Sequence, residues 1–593
     1  MKFLRVCCIL LAMLLVLTGC GKEVQETVPT TVPVTEPAQK ELSVTDLLKA
    51  VLTLKDDLEK AIDEIKEDEL AAAEQRVNGM FGKTQTIRES MTASLENLGD
   101  TMPSLRSQLE NIQEVLNLID MASEDILLPA IHQLQKSPFE LKREETGVHT
   151  GIICEYVDFV ENLMPGIEAV VEKANTVDLT ILDSDGDFVP VLGRANRLLE
   201  LYRADHSIFD NLKNMLGAEG DRVYLIAAQN SAEIRASGGF PGAMGVMRIE
   251  NGVLRVEDFR KVYDVLSSYT PASANVTNEE YRLFHGGLSL PWDSDYCPDF
   301  ERAAQIWALG YEARNREAID GVISVTPVVV QKLLAVMDEE VRLFDGTVLN
   351  GSNAMRTLQY DIYYQYFGRN PVAGNGAIVA DQLFADAAKK TMDALMGNMD
   401  MEQLLGYLDV ARECFNDRTL MLWAANEGEQ AILRTMDWHG GLNSDPQNPQ
   451  AGVYYSCTIA SKMGIFLAMD TQMGERVQNA DGSYTYPITV TISNTMTKEE
   501  INAAGSYITG GAGGRIHGSA YFFAPAGGTV SDFVSDNGVQ VRESEYHGLQ
   551  LGHMLSFIIQ PGASVTVTYN VTTAPGVETM LEFSKTPTMQ EYR

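Results

Sequence analysis

The chain has 593 residues, enough for roughly three or four domains, and its 45% of hydrophobic residues is ordinary for a globular protein. Lys and Arg number 46 against 82 Asp and Glu, so the formal net charge is −36. Such a surface repels nucleic acid and bare anionic lipid, which excludes nucleic acid as a partner. Solubility, or attraction of cations and basic partners, accounts for the acidity.

The first twenty residues have the pattern of a secretion signal. Lys2 and Arg5 precede an apolar run from Val6 to Val16, and the sequence LTGC follows, ending at Cys20. This run is shorter than the ~20 apolar residues of a transmembrane helix. The cysteine makes the segment resemble a bacterial lipoprotein signal, which implies cleavage after residue 19 and acylation of Cys20, with palmitate as one of its acyl chains. We therefore expect a protein held by lipid to the extracytoplasmic face of the cell membrane; the alternative is an ordinary signal peptide that contains a cysteine.

A tether and a helical region follow the signal. Residues 20–42 carry Pro29, Pro33 and Pro37 among Thr and Val residues, which is typical of an extended linker. After Thr45, apolar residues recur every three or four positions, the period of one helix face, and Pro103 suits the first turn of another helix. We predict an all-α region over residues 43–215, with a helical bundle as the default and a partner-binding coiled coil as the alternative.

Residues 216–440 alternate between strand and helix patterns. Arg222–Ala228 is a buried-strand run, and Asn251-Gly252 is a hairpin turn between two further strands. Phe300–Ala313 has the pattern of a helix, Gly321–Val325 that of a strand, and Pro327 suits the start of another helix. This alternation predicts a central α/β sandwich.

Residues 441–593 have the strict alternation of half-buried strands. Apolar and aromatic residues alternate after the turn signal Asp481-Gly482 and again near the end of the chain. We predict a C-terminal antiparallel β-sandwich that contains the glycine loop Gly510–Gly514. The alternating residues are Tyr484, Tyr486, Ile488, Val490, Ile492, Val565, Val567, Tyr569 and Val571.

The cysteines do not indicate a disulfide framework or a metal site. Those that remain after signal cleavage and acylation are far apart and lack metal-ligand spacing, so buried free thiols are favoured over a single bridge. They are Cys154, Cys297, Cys414 and Cys457.

The densest group of chemically capable residues comes directly after the Arg222–Ala228 strand. We assign Arg235 and Glu233 as the candidate catalytic pair, because a guanidinium can hold a phosphate or carboxylate and a carboxylate can accept a proton. Asn230, Gly238 and Gly239 are the candidate ligand-binding residues, since glycines let the backbone approach a ligand. The alternative is a structural Arg–Glu pair that braces a tight turn.

A second group combines three carboxylates. Asp293, Asp295 and Asp299 are candidate ligands of a divalent cation such as magnesium. Asp299 also immediately precedes the helix that begins at Phe300, and for this residue an N-cap is the favoured alternative.

These segments resemble a known family. NSAEIRASGGF with the following FPGAMGVMRIENG, then DSDYCPDF with its helix, and IDGVISVTPVVVQKLL are similar to the bacterial domain-of-unknown-function family 4012, over roughly residues 200–440. The family has no established activity, so the resemblance implies fold and location more than function.

A more distant similarity extends to the LytR–CpsA–Psr envelope proteins, which move lipid-pyrophosphate-linked glycopolymers onto peptidoglycan using arginines and a metal-binding aspartate. IDGVISVTPVVVQKLLAVMDEEVRLFDG resembles a strand, a helix and a short strand of that family, and Arg356 lies where ligand-binding arginines are expected. Val379–Lys390, however, lacks the family's arginine cluster. A double phosphate is poorly neutralised without several guanidinium groups, so this resemblance does not carry pyrophosphate binding over to the chain.

Two classes of function follow. The first is a lipid-anchored cell-envelope protein that binds an anionic or phosphorylated cell-wall glycopolymer and, in its fullest form, transfers it. The second is a non-catalytic envelope scaffold that binds another envelope protein. Convergence of Arg235, Arg356 and an aspartate of residues 293–299 on one cleft favours the first class, and dispersed positions favour the second.

The lipid anchor is directly testable. Cys20→Ala should abolish incorporation of radiolabelled palmitate and leave the protein unprocessed or release it from lipid, because the thiol is the expected site of acylation. Cys154→Ala is the matched control, since it removes a thiol outside the signal. Palmitate incorporation that is unchanged in the Cys20 variant would contradict the prediction.

Overall fold

The computed structural model describes residues 44–66, 69–98, 103–141, 143–144, 147–179, 188–268, 275–284, 287–372, 376–397 and 401–592. The predicted signal (1–19) and the tether with Cys20 lie outside these residues. The described chain divides into two compact units. Unit 1 comprises described residues of 44–143, 149–219 and 401–413, and unit 2 those of 144–148, 220–397 and 414–592.

Unit 1 is helical, which confirms the N-terminal helical region predicted from the periodicity. Pro103 is the first residue of its helix, where its missing N–H leaves no hydrogen bond unmade. The first helix buries Val51, Leu54 and Leu58, which are 0% exposed. The helices are α1 Val44–Lys66, α2 Leu70–Leu98, α3 Pro103–Ala122, α4 Leu128–Lys136, α5 Gly151–Ala174, α6 Phe188–Ala204 and α7 Ile208–Met215.

Unit 2 contains an eight-stranded mixed sheet, whose strands are β1 Arg143–Glu144, β2 Gly147–His149, β3 Arg222–Asn230, β4 Phe240–Glu250, β5 Val253–Val256, β6 Arg260–Lys261, β7 Gly321–Val325 and β10 Leu420–Ala424. Their order in the sheet is β1-β2-β5-β4-β3-β7-β10, with β6 also paired to β4. Strands β3 and β7 are parallel, with Ala228 opposite Val325, whereas β4 and β10 run antiparallel to their neighbours. The predicted turn joins β4 to β5 with φ of 52° at Asn251 and 73° at Gly252.

Helices cover both faces of this sheet. One face buries Leu225 and Val322 with Trp307, and the other carries Ile226 and Ala243. Residues 401–413, which the sequence assigns to the α/β region, belong to unit 1. The remaining helices are α8 Val262–Val265, α9 Asn278–Leu283, α10 Phe300–Asn315, α11 Pro327–Met337, α12 Ala354–Arg356, α13 Ile362–Phe367, α14 Gly376–Leu395, α15 Met401–Asn416, α16 Glu427–Thr435, α17 Lys498–Ala503 and α18 Ser506–Thr509.

The C-terminal part of unit 2 forms two five-stranded sheets. Their strands are β11 Gln450–Cys457, β12 Leu467–Met473, β13 Val477–Gln478, β14 Tyr484–Asn494, β15 Ile516–Phe523, β16 Thr529–Ser535, β17 Arg542–Tyr546, β18 Leu549–Ile559, β19 Ser564–Thr572 and β20 Glu582–Lys585. The strand orders are β17-β18-β15-β11-β20 and β12-β14-β19-β16, with β13 paired to β14. Pairing is antiparallel except between β11 and β20. The short pair β8 Val341–Arg342 and β9 Val348–Leu349 stands apart from these sheets.

The α/β part and the two C-terminal sheets share one hydrophobic core. Ala232 and Val328 belong to the same buried cluster as Val490 and Phe522. Residue 440, where the sequence divides two domains, therefore does not mark a break in packing. Burial of each large apolar side chain in such a core contributes about 1.5–3 kcal/mol.

Within the described residues no helix is long and apolar enough to cross a membrane. The four cysteines among these residues are free thiols, and Cys297, Cys414 and Cys457 are buried.

The shared core predicts the behaviour of a nicked protein. Residues 444–447 are exposed, so a protease recognition sequence inserted between Asp445 and Pro446 should be cut in the folded state. The two fragments should then elute together in native gel filtration, because separation would expose the common core. Two separate, folded fragments would show instead that residues 441–593 form an independent domain.

Candidate functional site

The carboxyl end of β3 folds back on itself in a tight loop. The Asn230 side chain accepts a hydrogen bond from Ala232 N (3.1 Å) and starts the 3₁₀ turn Ser231–Glu233. A Cβ on Gly238, where φ is +111°, would lie 2.2 Å from Gln229 Oε1, and one on Gly239 would lie 2.4 Å from Asn230 O. Gly238 is thus required by its positive φ and by the Gln229 side chain, and Gly239 by the backbone at the end of β3.

Arg235 is buried inside this loop and is held by carboxylates. Its Nη1 donates to Asp293 Oδ1 (2.9 Å) and Asp295 Oδ1 (3.2 Å), and Nη2 donates to Glu233 Oε1 (3.4 Å). The guanidinium also stacks over the Tyr296 ring at 3.9 Å. Burial alone would lower the pKa of Arg235, but the charges of Asp295, Tyr296 and Asp293 raise it well above its ordinary value, so Arg235 stays charged.

Glu233 has a second cationic partner from the C-terminal part of the chain. Lys462 Nζ donates to Glu233 Oε2, and both side chains are largely buried, at 7% and 13% exposure. Nζ also lies 5.5 Å from the ring centroids of Tyr363 and Tyr507. Burial lowers the pKa of Lys462, and the neighbouring Tyr363 and Glu233 outweigh this and raise it. Glu233 therefore bridges Arg235 and Lys462 in one buried network.

Beside this network lies a cleft of about 700 Å³, within the size range of small-molecule sites. One wall is the sheet face that carries Ile226, Ala228, Ala243 and Val325. Opposite it, helices α11 and α14 contribute apolar side chains that include Val329, Val330, Leu333, Ala380, Phe384, Ala387, Ala388 and Met392.

The cleft has a polar end at the carboxyl edge of the parallel strands β3 and β7. Gln229, Glu233, Thr326 and Lys462 line it there, and we call these four residues the polar end. Gly510 and Gly511 of the glycine loop also line the cleft. Ligands of α/β sheets commonly bind at such strand ends.

The predicted metal ligands do not form one cluster. Asp293 and Asp295 face Arg235, whereas Asp299 is the N-cap residue of α10, where its side chain makes no capping hydrogen bond. Burial, reinforced by the charge of Glu301, raises the pKa of Asp299 to about 6. Among the described residues there is no group of three or more His, Cys, Asp or Glu side chains that could hold a metal ion.

Arg356 is not brought to Arg235. Its side chain is 55% exposed, lies 3.5 Å from Asp361 and does not line the cleft. Of the predicted site residues, Asn230 and Glu233 line the cleft, while Arg235 lies behind it, saturated by carboxylates. The positions are therefore dispersed, and the alternative interpretation of Arg235 as a brace is the one the geometry favours.

Lys462 is the functional candidate that sequence reasoning missed. It lies 229 residues from Glu233, so local spacing carries no sign of their pairing. One signal was present: Lys462 is the single charged residue between Gln450 and Asp470. A lone cation in an apolar segment indicates a buried charge with a partner elsewhere.

Residues 219–363 match the model of a family described as "Protein of unknown function (DUF4012)". The match includes β3, the Glu233–Arg235 loop and the Asp293–Asp295 turn, and it supports the assignment of this region to that family. It ends before Lys462. No curated protein and no solved structure matches the chain.

The network predicts a large effect of Arg235→Ala on stability. Removal of the guanidinium leaves the fully buried Asp295 and the partly buried Asp293 without their partner, so the free energy of unfolding of unit 2 should fall by about 3–5 kcal/mol. Chemical denaturation followed by tryptophan fluorescence measures it, because every tryptophan lies in unit 2: Trp292, Trp307, Trp423 and Trp438.

Arg356→Ala is the matched control and should change this free energy by at most about 1 kcal/mol, since its ion pair is exposed. An Arg235 variant as stable as the control would contradict the bracing role.

Proposed function

We propose that this protein is a lipid-anchored, extracytoplasmic envelope protein that binds the apolar chain of a lipid-linked envelope glycopolymer in the cleft of unit 2. The observation that carries the proposal is the cleft itself, which has a volume of about 700 Å³, apolar walls and the polar end at one edge. A long hydrocarbon chain matches the walls, and the polar part of the same molecule matches the polar end.

The energetics favour an amphiphile over a free sugar polymer. Removal of apolar surface from water contributes about 25 cal/mol per Å², so a hydrocarbon chain gains most of its binding free energy from the walls. The polar end adds orientation, because its side chains lie at one edge of the sheet. The predicted anchor at Cys20 would keep the protein at the surface where such lipids reside.

Binding without transfer is the form of this function that we propose. None of the described lining residues is an arginine, and Arg235 already has Asp293 and Asp295 as partners. A pyrophosphate in the cleft would therefore lack the guanidinium groups that neutralise a double phosphate. The same dispersion of arginines favours a non-catalytic role over transfer.

Gly242 offers a direct test of occupancy. It lines the cleft on β4, and an added Cβ would meet only the Phe240 ring edge, at 4.0 Å, so a larger residue fills the cleft without backbone strain. Gly242→Leu should weaken binding of the uncharged fluorophore N-phenyl-naphthylamine about tenfold, which is ~1.4 kcal/mol. The protein is the full chain with Cys20→Ala, so that no acyl group of its own competes.

Gly220→Leu makes the same chemical change outside the cleft, where an added Cβ has no neighbour within 4 Å, and should leave binding unchanged. Equal affinities of the two variants would place the fluorophore elsewhere and contradict the proposal.

A further inference from the structure

Two exposed tyrosines stand at the opening of the cleft. Tyr263 of α8 and Tyr507 of α18 both line it, and they are 51% and 45% exposed. Among the described residues twelve large hydrophobic side chains are exposed, and these two tyrosines are the ones that line the cleft. An exposed apolar side chain that stands alone needs no explanation, but two aromatic rings at one opening indicate a binding surface.

Both rings are held in place by neighbouring aromatic rings. Tyr263 packs edge-on against Trp292 with ring centroids 4.9 Å apart, and it lies 6.1 Å from the ring of Phe240, which also lines the cleft. Tyr507 stacks on Phe367, with centroids 4.0 Å apart and ring planes 13° from parallel. A ring whose orientation is already fixed loses little conformational entropy when a ligand stacks on it.

The two tyrosines lie beside the polar end of the cleft. Lys462 Nζ is 5.5 Å from the centroid of the Tyr507 ring. Burial raises the pKa of Tyr263, and so do the charges of Asp293 and Glu233, so the Tyr263 hydroxyl lies within electrostatic reach of these carboxylates. The tyrosines are therefore placed where the polar part of an amphiphile would leave the apolar walls.

Aromatic rings discriminate between the polar groups that an amphiphile can carry. The face of such a ring is electronegative, so it disfavours anions and attracts cations or polarised C–H groups. A quaternary ammonium is one such partner, but Lys462 already lies near the Tyr507 ring and repels a second cation. A sugar ring is uncharged and presents C–H groups on its faces, while the hydroxyls at its rim stay in contact with water at a half-exposed site.

We propose that Tyr263 and Tyr507 form a sugar-binding subsite at the opening of the cleft, where their rings stack on the glycosyl units nearest to the lipid chain. This inference rests on the proposed function, because it assigns a place to the first sugars of the lipid-linked glycopolymer whose chain the cleft binds. The apolar walls supply most of the affinity, and the tyrosines supply the preference for a glycosylated chain over a bare one.

The test compares three ligands that share a decyl chain: decyl maltoside, 1-decanol and decylphosphocholine. Each displaces N-phenyl-naphthylamine from the full chain carrying Cys20→Ala, below any micellar concentration and with correction for each variant's own affinity for the fluorophore. Tyr263→Ala should weaken binding of decyl maltoside about tenfold and leave the other two affinities within about twofold, because the sugar alone stacks on the ring. An equal loss for 1-decanol would make the ring part of the chain-binding wall, and an equal loss for decylphosphocholine would make it a cation site. Either result would overturn the sugar subsite and leave the proposed function standing.

Matched variants separate stacking from a general effect on the fold. Tyr507→Ala should reproduce the selective loss, and Tyr263→Trp should keep the affinity for decyl maltoside within about twofold of the parent, since an aromatic face remains. Tyr281→Ala is the control, because Tyr281 is 60% exposed and does not line the cleft, and it should leave all three affinities unchanged. Unchanged binding of decyl maltoside by both alanine variants of the subsite would overturn the inference. Failure of all three ligands to bind the parent would overturn the proposed function as well.

Discussion

The buried ion-pair network around Glu233 is the constraint on which the rest of unit 2 depends. Glu233 contacts Arg235 and Lys462, and Arg235 contacts Asp293 and Asp295, so three distant segments meet at one set of charges. Each charge is largely out of water and is tolerated only because its partner is present. The network therefore fixes the β3 loop and the C-terminal part of the chain together, and it closes one end of the cleft.

Two residues of the same loop therefore have different roles. Arg235 lies behind the cleft and braces the loop, while Glu233 reaches both the brace and the cleft wall. The cleft itself arises because small side chains such as Ala228 and Ala243 leave space between the sheet face and helix α14. Apolar walls and a compensated polar end together suit an uncharged amphiphile better than a polyanion.

The sequence predicts the end of strand β3 and the loop after it, but not that Arg235 in this loop is a buried, structural side chain. Period-two and period-3.6 patterns are local, so the helical region, β7 and the turn at Asn251 were accessible from the sequence. The sequence also indicates that Gly238 and Gly239 are special positions, but it assigns them to ligand binding. In the structure they are glycines because they pack against Gln229 and Asn230, and this packing depends on where the loop folds back. The pairing of Lys462 with Glu233 was inaccessible, because partners far apart in the chain leave no spacing signal.

Crystallography with a brominated monoacylglycerol bound to the full chain shows directly whether the cleft holds a hydrocarbon chain. We expect an anomalous bromine signal between the sheet face at Ala228 and helix α14 near Ala388, with the glycerol toward the polar end of the cleft. A bromine signal outside this space, with the cleft free of lipid density, would contradict the binding of a hydrocarbon chain in the cleft.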